Sequence, residues 1–246
     1  MRVLIIGATG FCGRALTSTL AKESGYIVIP HIRSNSRRAT SVQTEWTTLG
    51  IEGLCAHWTD MREKILKLKP DVIATFLGTT KRHMRTGQGT YQEIDYGLNK
   101  LLIDIALELE TPPLFIYLSS MGLEWAKWSE YLKVRVNIEN TLNSSTLPHI
   151  IIRPGMLSGS SRDESRPLEH VSSLVFNTLT RIYRTLSLHQ WADSIQPLDA
   201  PEVASFLLKA ISVYRQTPPS SHPYQITYTL PEIHKTLRSQ TFPIPK

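Results

Sequence analysis

The stretch that most limits what this chain can fold into is residues 2–13, Arg-Val-Leu-Ile-Ile-Gly-Ala-Thr-Gly-Phe-Cys-Gly. A short apolar run breaks into glycines at Gly7, Gly10 and Gly13, and a helix-forming segment carrying Ala15, Leu16, Leu20 and Ala21 follows at once. That order reads as a buried strand, a tight turn and a helix start, which aims backbone N–H groups and the positive end of a helix dipole at a phosphate. Each glycine has its own work. Gly7 allows the sharp turn, Gly10 lets backbone approach a pyrophosphate, and Gly13 lets the helix pack closely on the strand. The loop residues Gly7, Thr9, Gly10, Phe11, Cys12 and Gly13 are therefore expected to bind a dinucleotide, with its pyrophosphate on residues 9–12.

Strand-like and helix-like segments alternate through the first 155 residues. Strands are expected at residues 2–6, 26–32, 54–58, 72–77, 114–118 and 150–152. Helices are expected at 11–22, 62–68, 90–109 and 129–142; in the longest, Ile94, Leu98, Leu101, Leu102, Ile105 and Leu109 recur at helical spacing. Such alternation implies right-handed crossovers and an α/β, doubly wound parallel sheet of Rossmann-like type. Pro30 is awkward inside a strand, because it removes a ladder hydrogen bond. Beyond Gly155 the pattern loosens. Residues 157–196 are polar with no clean strand, although 171–186 is apolar and helix-like, and a helix (201–214), a strand (224–228) and a small helix (231–237) follow. The whole chain, residues 1–246, reads as one nucleotide-binding domain in which 157–246 forms a small substrate-side lobe.

Bulk properties exclude several classes. The chain has 246 residues with 41% apolar and 20% charged content, which suits a globular domain. No apolar run approaches the ~18 residues a membrane span needs, so no membrane partner is expected. The net charge of +6 comes from scattered basic residues, with no basic helix or finger pattern, so nucleic acid is not expected either. Only Cys12 and Cys55 are present and the apolar run at Val3 is too short for a secretion signal; the expectation is a reducing, cytoplasmic compartment. Cys12 reads as a small residue filling the turn. No histidine, cysteine or carboxylate spacing suggests a metal site, and His83, His170 and His189 are isolated. The helices at 90–109 and 129–142 could pair two subunits as a homodimer, although core packing explains their apolar faces equally well.

The end of the second strand bears on cofactor choice. An acidic residue there holds the ribose hydroxyls of NAD, whereas arginine accommodates the 2′-phosphate of NADP. This chain has His31-Ile32-Arg33-Ser34-Asn35-Ser36-Arg37-Arg38, and no carboxylate between Glu23 and Glu45. Arginine's planar fork matches phosphate geometry, so Arg33, Ser34 and Arg37 are expected on the 2′-phosphate of NADP(H). A second basic cluster, Lys81, Arg82, His83 and Arg85, also follows a strand. Asp60 and Met61 are placed near the adenine; Leu77, Gly78 and Thr79 are placed under the adenine ribose and the nicotinamide half.

Strand five ends in Ser119-Ser120-Met121-Gly122, and Tyr131 lies eleven residues past Ser120, with Arg135 one helical turn further on. Hydride transfer to a carbonyl needs a proton donor at the carbonyl oxygen. Tyrosine, with a reference pKa of about 10, is poorly matched unless a fixed positive charge stands beside it. Ser119, Ser120, Tyr131 and Arg135 are the candidate catalytic set, with Arg135 also placed on the cofactor ribose. Arg153, before Pro154, is read as an anchor of the strand-six turn.

These motifs, Gly7-x-x-Gly10-x-x-Gly13, Ser119-Ser120 and Tyr131-x-x-x-Arg135, resemble the short-chain dehydrogenase/reductase superfamily. Leu77-Gly78-Thr79-Thr80, Asp95-Tyr96, Glu139, Arg153-Pro154-Gly155-Met156-Leu157 and Glu164-Ser165-Arg166-Pro167 are similar to its atypical branch of Tat-interacting oxidoreductase-like proteins. The resemblance implies an NADP-binding Rossmann-like fold and a reductase activity on a small-molecule substrate, a carbonyl or quinone-like compound. The superfamily pattern is Tyr-x-x-x-Lys, and arginine differs from lysine in shape and reach. Lys133 cannot substitute, because at i+2 it points to another side of the helix. Two function classes follow: an NADPH-dependent oxidoreductase, or a non-catalytic NADPH-binding regulatory protein that senses redox state.

Overall fold

The computed structural model describes residues 1–33, 39–79, 84, 87, 89–158, 196–217, 224–239 and 242. The expectations placed on Ser34, Arg37, Arg38, the cluster from Lys81 to Arg85, His170, His189 and most of the substrate-side lobe lie outside these residues.

Seven strands form one wholly parallel sheet: β1 (Arg2–Ile6), β2 (Ile27–Arg33), β3 (Leu54–Ala56), β4 (Val72–Thr75), β5 (Leu114–Leu118), β6 (His149–Arg153) and β9 (Gln225–Thr229). Their spatial order is β3-β2-β1-β4-β5-β6-β9, so the winding direction reverses between β1 and β4. In an open parallel sheet, ligands bind at the strand carboxyl ends beside that reversal. The Rossmann-like expectation holds. A short pair, β7 (Leu157–Ser158) and β8 (Leu198–Asp199), is also parallel; strands of two residues are too short to leave an alternating pattern in the sequence.

β1 is central, with Val3, Leu4, Ile5 and Ile6 all fully buried. Side chains alternate across a strand. Val3 and Ile5 join the layer beneath α1 (Phe11–Leu20), while Leu4 and Ile6 join the opposite layer with Met61 and Ile65 of α3 (Met61–Leu68). The second layer is completed by α4 (Asn99–Leu107) and α5 (Glu130–Asn143). The first is closed by α6 (Ala200–Gln216) and α7 (Leu230–Arg238). Helices on both faces explain why strands such as Phe115-Ile116-Tyr117 are continuously buried.

Several boundaries differ from the sequence pattern. The helix α2 (Ala39–Thr48) was not anticipated; it lies in a Thr- and Ser-rich run of weak helix formers, and Val42 and Trp46, one turn apart, anchor it in the core. β3 stops at Ala56 because His57 accepts the Thr59 N–H and caps a 3-10 turn, Trp58–Asp60. β4 stops at Thr75. Pro30 is tolerated because β3 pairs with β2 only from His31 onward.

The segment read as one helix over 90–109 is a π-helix, Tyr91–Leu98, continued by α4. The Asn99 side chain donates to the Asp95 carbonyl (2.7 Å), while the Asn99 backbone N–H goes to Tyr96 O. A side chain thereby occupies an acceptor of the usual i→i−4 ladder, a recognised cause of local widening. Glu93 and Thr90 form a reciprocal cap at its start.

His31 is buried against Trp58 and its Nε2 lies 3.1 Å from Ala56 O. Burial first, and Arg33 in addition, hold its pKa below the ordinary value, against the opposing backbone bond to Ala56. The unfolded chain then binds this proton more readily than the native one, so stability falls as pH drops below about 6.5 and the loss ends once the folded pKa is passed. Urea midpoints are expected to decrease between pH 7.5 and 5.5, and less steeply in His31→Asn; equal slopes in the two proteins would contradict this.

Candidate dinucleotide and carbonyl site

Gly7 ends β1 with φ +76, and a Cβ on it would lie 3.0 Å from the Phe76 carbonyl. This position therefore needs glycine for both conformation and clearance. Gly10 N–H donates to Gly7 O (2.9 Å), closing the turn. Gly10 also stands at the N-terminus of α1, where no side chain caps the helix and no acidic residue occupies the first turn. A Cβ on Gly13 would fall 2.4 Å from Gly7 O, so the helix approaches the strand end as closely as backbone allows. A positive helix terminus thus points at the place where the sheet reverses direction, with Thr9 in the turn and Phe11 and Cys12 opening α1; Cys12 is buried. This is an anion cradle by geometry.

The other strand ends surround it. Arg33 is the last residue of β2 and is exposed. Asp60 is exposed ahead of α3 and accepts from Thr59 Oγ1 (2.9 Å). Met61, placed near the adenine by sequence, is fully buried with Leu4 and Ile6, so its side chain belongs to the core rather than to the crevice. Leu77, Gly78 and Thr79 continue β4, and the Thr79 N–H donates to Asp95 Oδ2 (2.9 Å).

Asp95 is also the partner of Arg135. Its Oδ1 lies 3.0 Å from Arg135 Nη2, and the two side chains are 0% and 6% exposed, so this ion pair is dry. Arg135 donates further to Leu118 O (2.7 Å), to Tyr117 Oη (3.1 Å) and, at 3.5 Å, to Leu77 O. Its guanidinium lies over the Tyr131 ring at 5.0 Å and near that of Tyr117 at 5.6 Å. Gly78 is glycine for a reason visible here: a Cβ would sit 3.1 Å from Arg135 Nη2. Burial pushes the Asp95 carboxyl up, and Arg135 and Thr79 pull it back. Burial also lifts the Tyr117 hydroxyl to about 12, against the pull of Arg135. Lys133, as its helical position implied, is exposed.

A second network secures the strand-five end. Ser119 is buried and donates to Glu139 Oε1 (2.5 Å); Arg153 donates to the same carboxylate through Nε (3.0 Å to Oε1) and Nη2 (2.5 Å to Oε2). Arg153 therefore anchors the strand-six turn through a carboxylate. The Glu139 hydrogen bond raises the Arg153 pKa. Ser120 is half-buried, with its Oγ donating to Met121 O (3.0 Å). Tyr131 is half-buried, its ring edge-on to Tyr91 at 5.5 Å, and among the described residues its hydroxyl has no hydrogen-bond partner.

Sequence reasoning brought together the glycine loop, Leu77, Gly78, Thr79, the two serines, Tyr131 and Arg135 at one edge of the sheet. It assigned no role to Asp95, Tyr117 or Glu139. The available signal was an acidic residue on an apolar helix stripe: Asp95 precedes Asn99, Leu102 and Ala106, and Glu139 follows Tyr131 and Arg135 at successive fourth positions.

The geometry is that of a dinucleotide-binding Rossmann protein, and the sequence matches the profile of a family described as NAD(P)H-binding over residues 7–181. The chain belongs to that NAD(P)H-binding family. It is 28% identical over 192 residues to Protein fmp52-1, mitochondrial, of Aspergillus terreus, covering 77% of this chain and 80% of the relative. It is also 28% identical over 164 residues to Protein FMP52, mitochondrial, of Debaryomyces hansenii, covering 65% and 68%. Among solved structures, the fold is shared with a putative NAD-dependent epimerase/dehydratase from Bacillus halodurans (TM-score 0.64, 18% identity, 93% of this chain and 92% of that one). It is also shared with ChuY, an anaerobilin reductase from Escherichia coli O157:H7 (TM-score 0.57, 15% identity, 93% and 96%). These neighbours share the Rossmann-like fold that the sequence motifs implied.

The fmp52 relatives are named mitochondrial, which overturns the cytoplasmic expectation. Cysteine usage speaks only to reducing conditions, and those do not distinguish one intracellular compartment from another.

Removing one member of a dry ion pair strands the other charge and costs about 3–5 kcal/mol. Asp95→Ala should lose stability on that scale in urea unfolding, and Asp95→Ala/Arg135→Met should recover most of it. An Asp95→Ala midpoint equal to wild type would contradict the pairing.

Proposed function

We propose that the protein is an NADP(H)-dependent oxidoreductase that reduces a small carbonyl or quinone-like compound. The observation that carries this reading is the placement of an uncapped, acid-free helix terminus, an exposed arginine closing β2 and a half-buried tyrosine at one edge of the sheet. The residues fit the cofactor. Backbone contacts too close for a Cβ at Gly7 and Gly13 hold the start of α1 tight against the end of β1, and β2 ends in Arg33 with no carboxylate before Glu45. Arg33 binds the 2′-phosphate, and Ser34 and Arg37 follow it in sequence. When bound, NADPH would supply the hydride for the carbonyl carbon, and the proton that completes the alcohol would come from the protein. Tyr131 donates that proton from its hydroxyl. Ser120 orients the substrate oxygen, since the Ser119 hydroxyl is held by Glu139. Arg135 keeps the wall of the crevice in place through Leu77 O and Leu118 O and sets a fixed charge beside the Tyr131 ring.

A second reading, an NADPH-binding protein that reports redox state without turnover, is favoured by one observation. The Arg135 guanidinium is already engaged by Asp95, Leu118 O and Tyr117, so ribose binding competes with those bonds. The mitochondrial names of the relatives support a mitochondrial setting for either reading.

Calorimetric titration should give tighter binding of NADPH than of NADH, and Arg33→Glu should reverse the preference by tenfold or more, as expected for loss of a charge-assisted bond worth about 1.5–3 kcal/mol. Tyr131→Phe should lower carbonyl-dependent NADPH oxidation roughly 10²–10⁴-fold with NADPH affinity retained, in line with loss of a general acid. Tight NADPH binding without turnover of any carbonyl or quinone by the wild type would decide for the second reading.

A further inference from the structure

Six large apolar side chains stand out as exposed among the described residues, and three of them share one short segment: Met121 (46%), Trp125 (62%) and Trp128 (75%). That segment joins Ser120 to Tyr131. Gly122, with φ +80, turns the chain outward after β5 and starts a 3-10 helix, Leu123–Trp128. In such a helix residues i and i+3 eclipse one another, so Trp125 and Trp128 lie on one face. The Trp125 ring returns over Gly122, its Cδ1 3.9 Å from where a Gly122 Cβ would be. Met121 lies against Gly155, its sulfur 3.0 Å from a Cβ built there. Lys127 rests its ammonium 5.2 Å from the Trp128 ring centroid.

Exposed tryptophan is costly to leave in water and is enriched where one face must bind something apolar. Here the two indoles and a polarizable thioether are tied at one end to the serine and at the other to the tyrosine of the proposed reaction. We propose that Met121, Trp125 and Trp128 form an aromatic platform that selects a planar, fused-ring carbonyl or quinone over a small aliphatic one. This rests on the reductase reading for its chemistry, but it is a statement about binding. The platform's continuity with Ser120 and Tyr131 favours a small planar ligand as its occupant. A ring held on the indoles has the two hydroxyl-bearing residues of the proposed reaction, Ser120 and Tyr131, flanking the same segment of chain.

The test uses the full chain saturated with NADP⁺, which permits binding without reaction. Affinities for 2-methyl-1,4-naphthoquinone and for butane-2,3-dione are measured by calorimetry in the wild type, Trp125→Ala/Trp128→Ala and, as a control at the opposite end of β2, Ile27→Ala. The expected result is about tenfold weaker naphthoquinone binding in the double variant, the scale of one or two aromatic stacking contacts. Butanedione binding should change little, Ile27→Ala should match wild type, and NADP⁺ affinity should hold in all three. No naphthoquinone binding by the wild type, or equal losses for both ligands, overturns the proposal. Unchanged naphthoquinone affinity combined with lost sedimentation on phosphatidylcholine/cardiolipin vesicles also overturns it and assigns the patch to a lipid surface. If the naphthoquinone binds through the tryptophans but NADPH is not oxidised in a separate turnover assay, the platform stands and the reductase reading fails.

Discussion

The dry ion pair between Asp95 and Arg135 ties together the parts on which the candidate site depends. Through Arg135 it reaches the carbonyl of Leu118 at the end of β5, the hydroxyl of Tyr117 within β5 and the carbonyl of Leu77 beyond β4. Through Asp95 it reaches the Thr79 N–H and the π-helix ahead of α4. Two strand ends, a helix and a π-turn are thereby held at one point at the carboxyl end of the sheet. A buried pair of this kind contributes little net stability compared with an apolar filling, yet it cannot lose one partner without a large penalty. Its value here is positional. It keeps Leu77, Gly78 and Thr79 along one wall and Tyr131 beside a fixed charge on the other.

The same pair accounts for an irregularity that would otherwise look accidental. Asp95 is buried in the middle of a largely apolar helical stretch, and the widened π-turn lets its carboxylate meet both Thr79 and Arg135 while Asn99 takes up its carbonyl. Gly78 is part of this arrangement, since a side chain there would press on the guanidinium. Nearby, Ser119, Glu139 and Arg153 form a separate polar lock on the turn after β6. Adjacent serines thus have different surroundings: the Ser119 hydroxyl is bound to a carboxylate, whereas Ser120 stands half-exposed on the crevice side. Arginine in place of the superfamily's lysine is consistent with this division of labour, because a planar, five-donor group can bridge several acceptors that an ammonium could not span at once.

Much of the fold was legible because its signals are local and periodic. A short apolar run before Gly7 and a helix pattern after Gly13 marked the first crossover, and the repeated alternation of short apolar runs with helical stripes marked the parallel sheet. The misses have physical causes. The α2 helix depends on Val42 and Trp46 reaching the core, not on good helix formers. The π-turn depends on a side chain capturing a backbone carbonyl. The compartment was misjudged because cysteine usage reports redox conditions and not an address.

The sequence alone therefore determined the strand-turn-helix cradle, the basic end of β2 and the Tyr131–Arg135 spacing, since each arises from residues a few positions apart whose conformations are set by local sterics and periodicity. Only the tertiary structure decided what Arg135 touches. Its partners come from positions 77, 95, 117 and 118, brought together by two crossovers of the sheet, and no local pattern specifies which of several nearby acceptors a long, flexible side chain will meet once water is excluded.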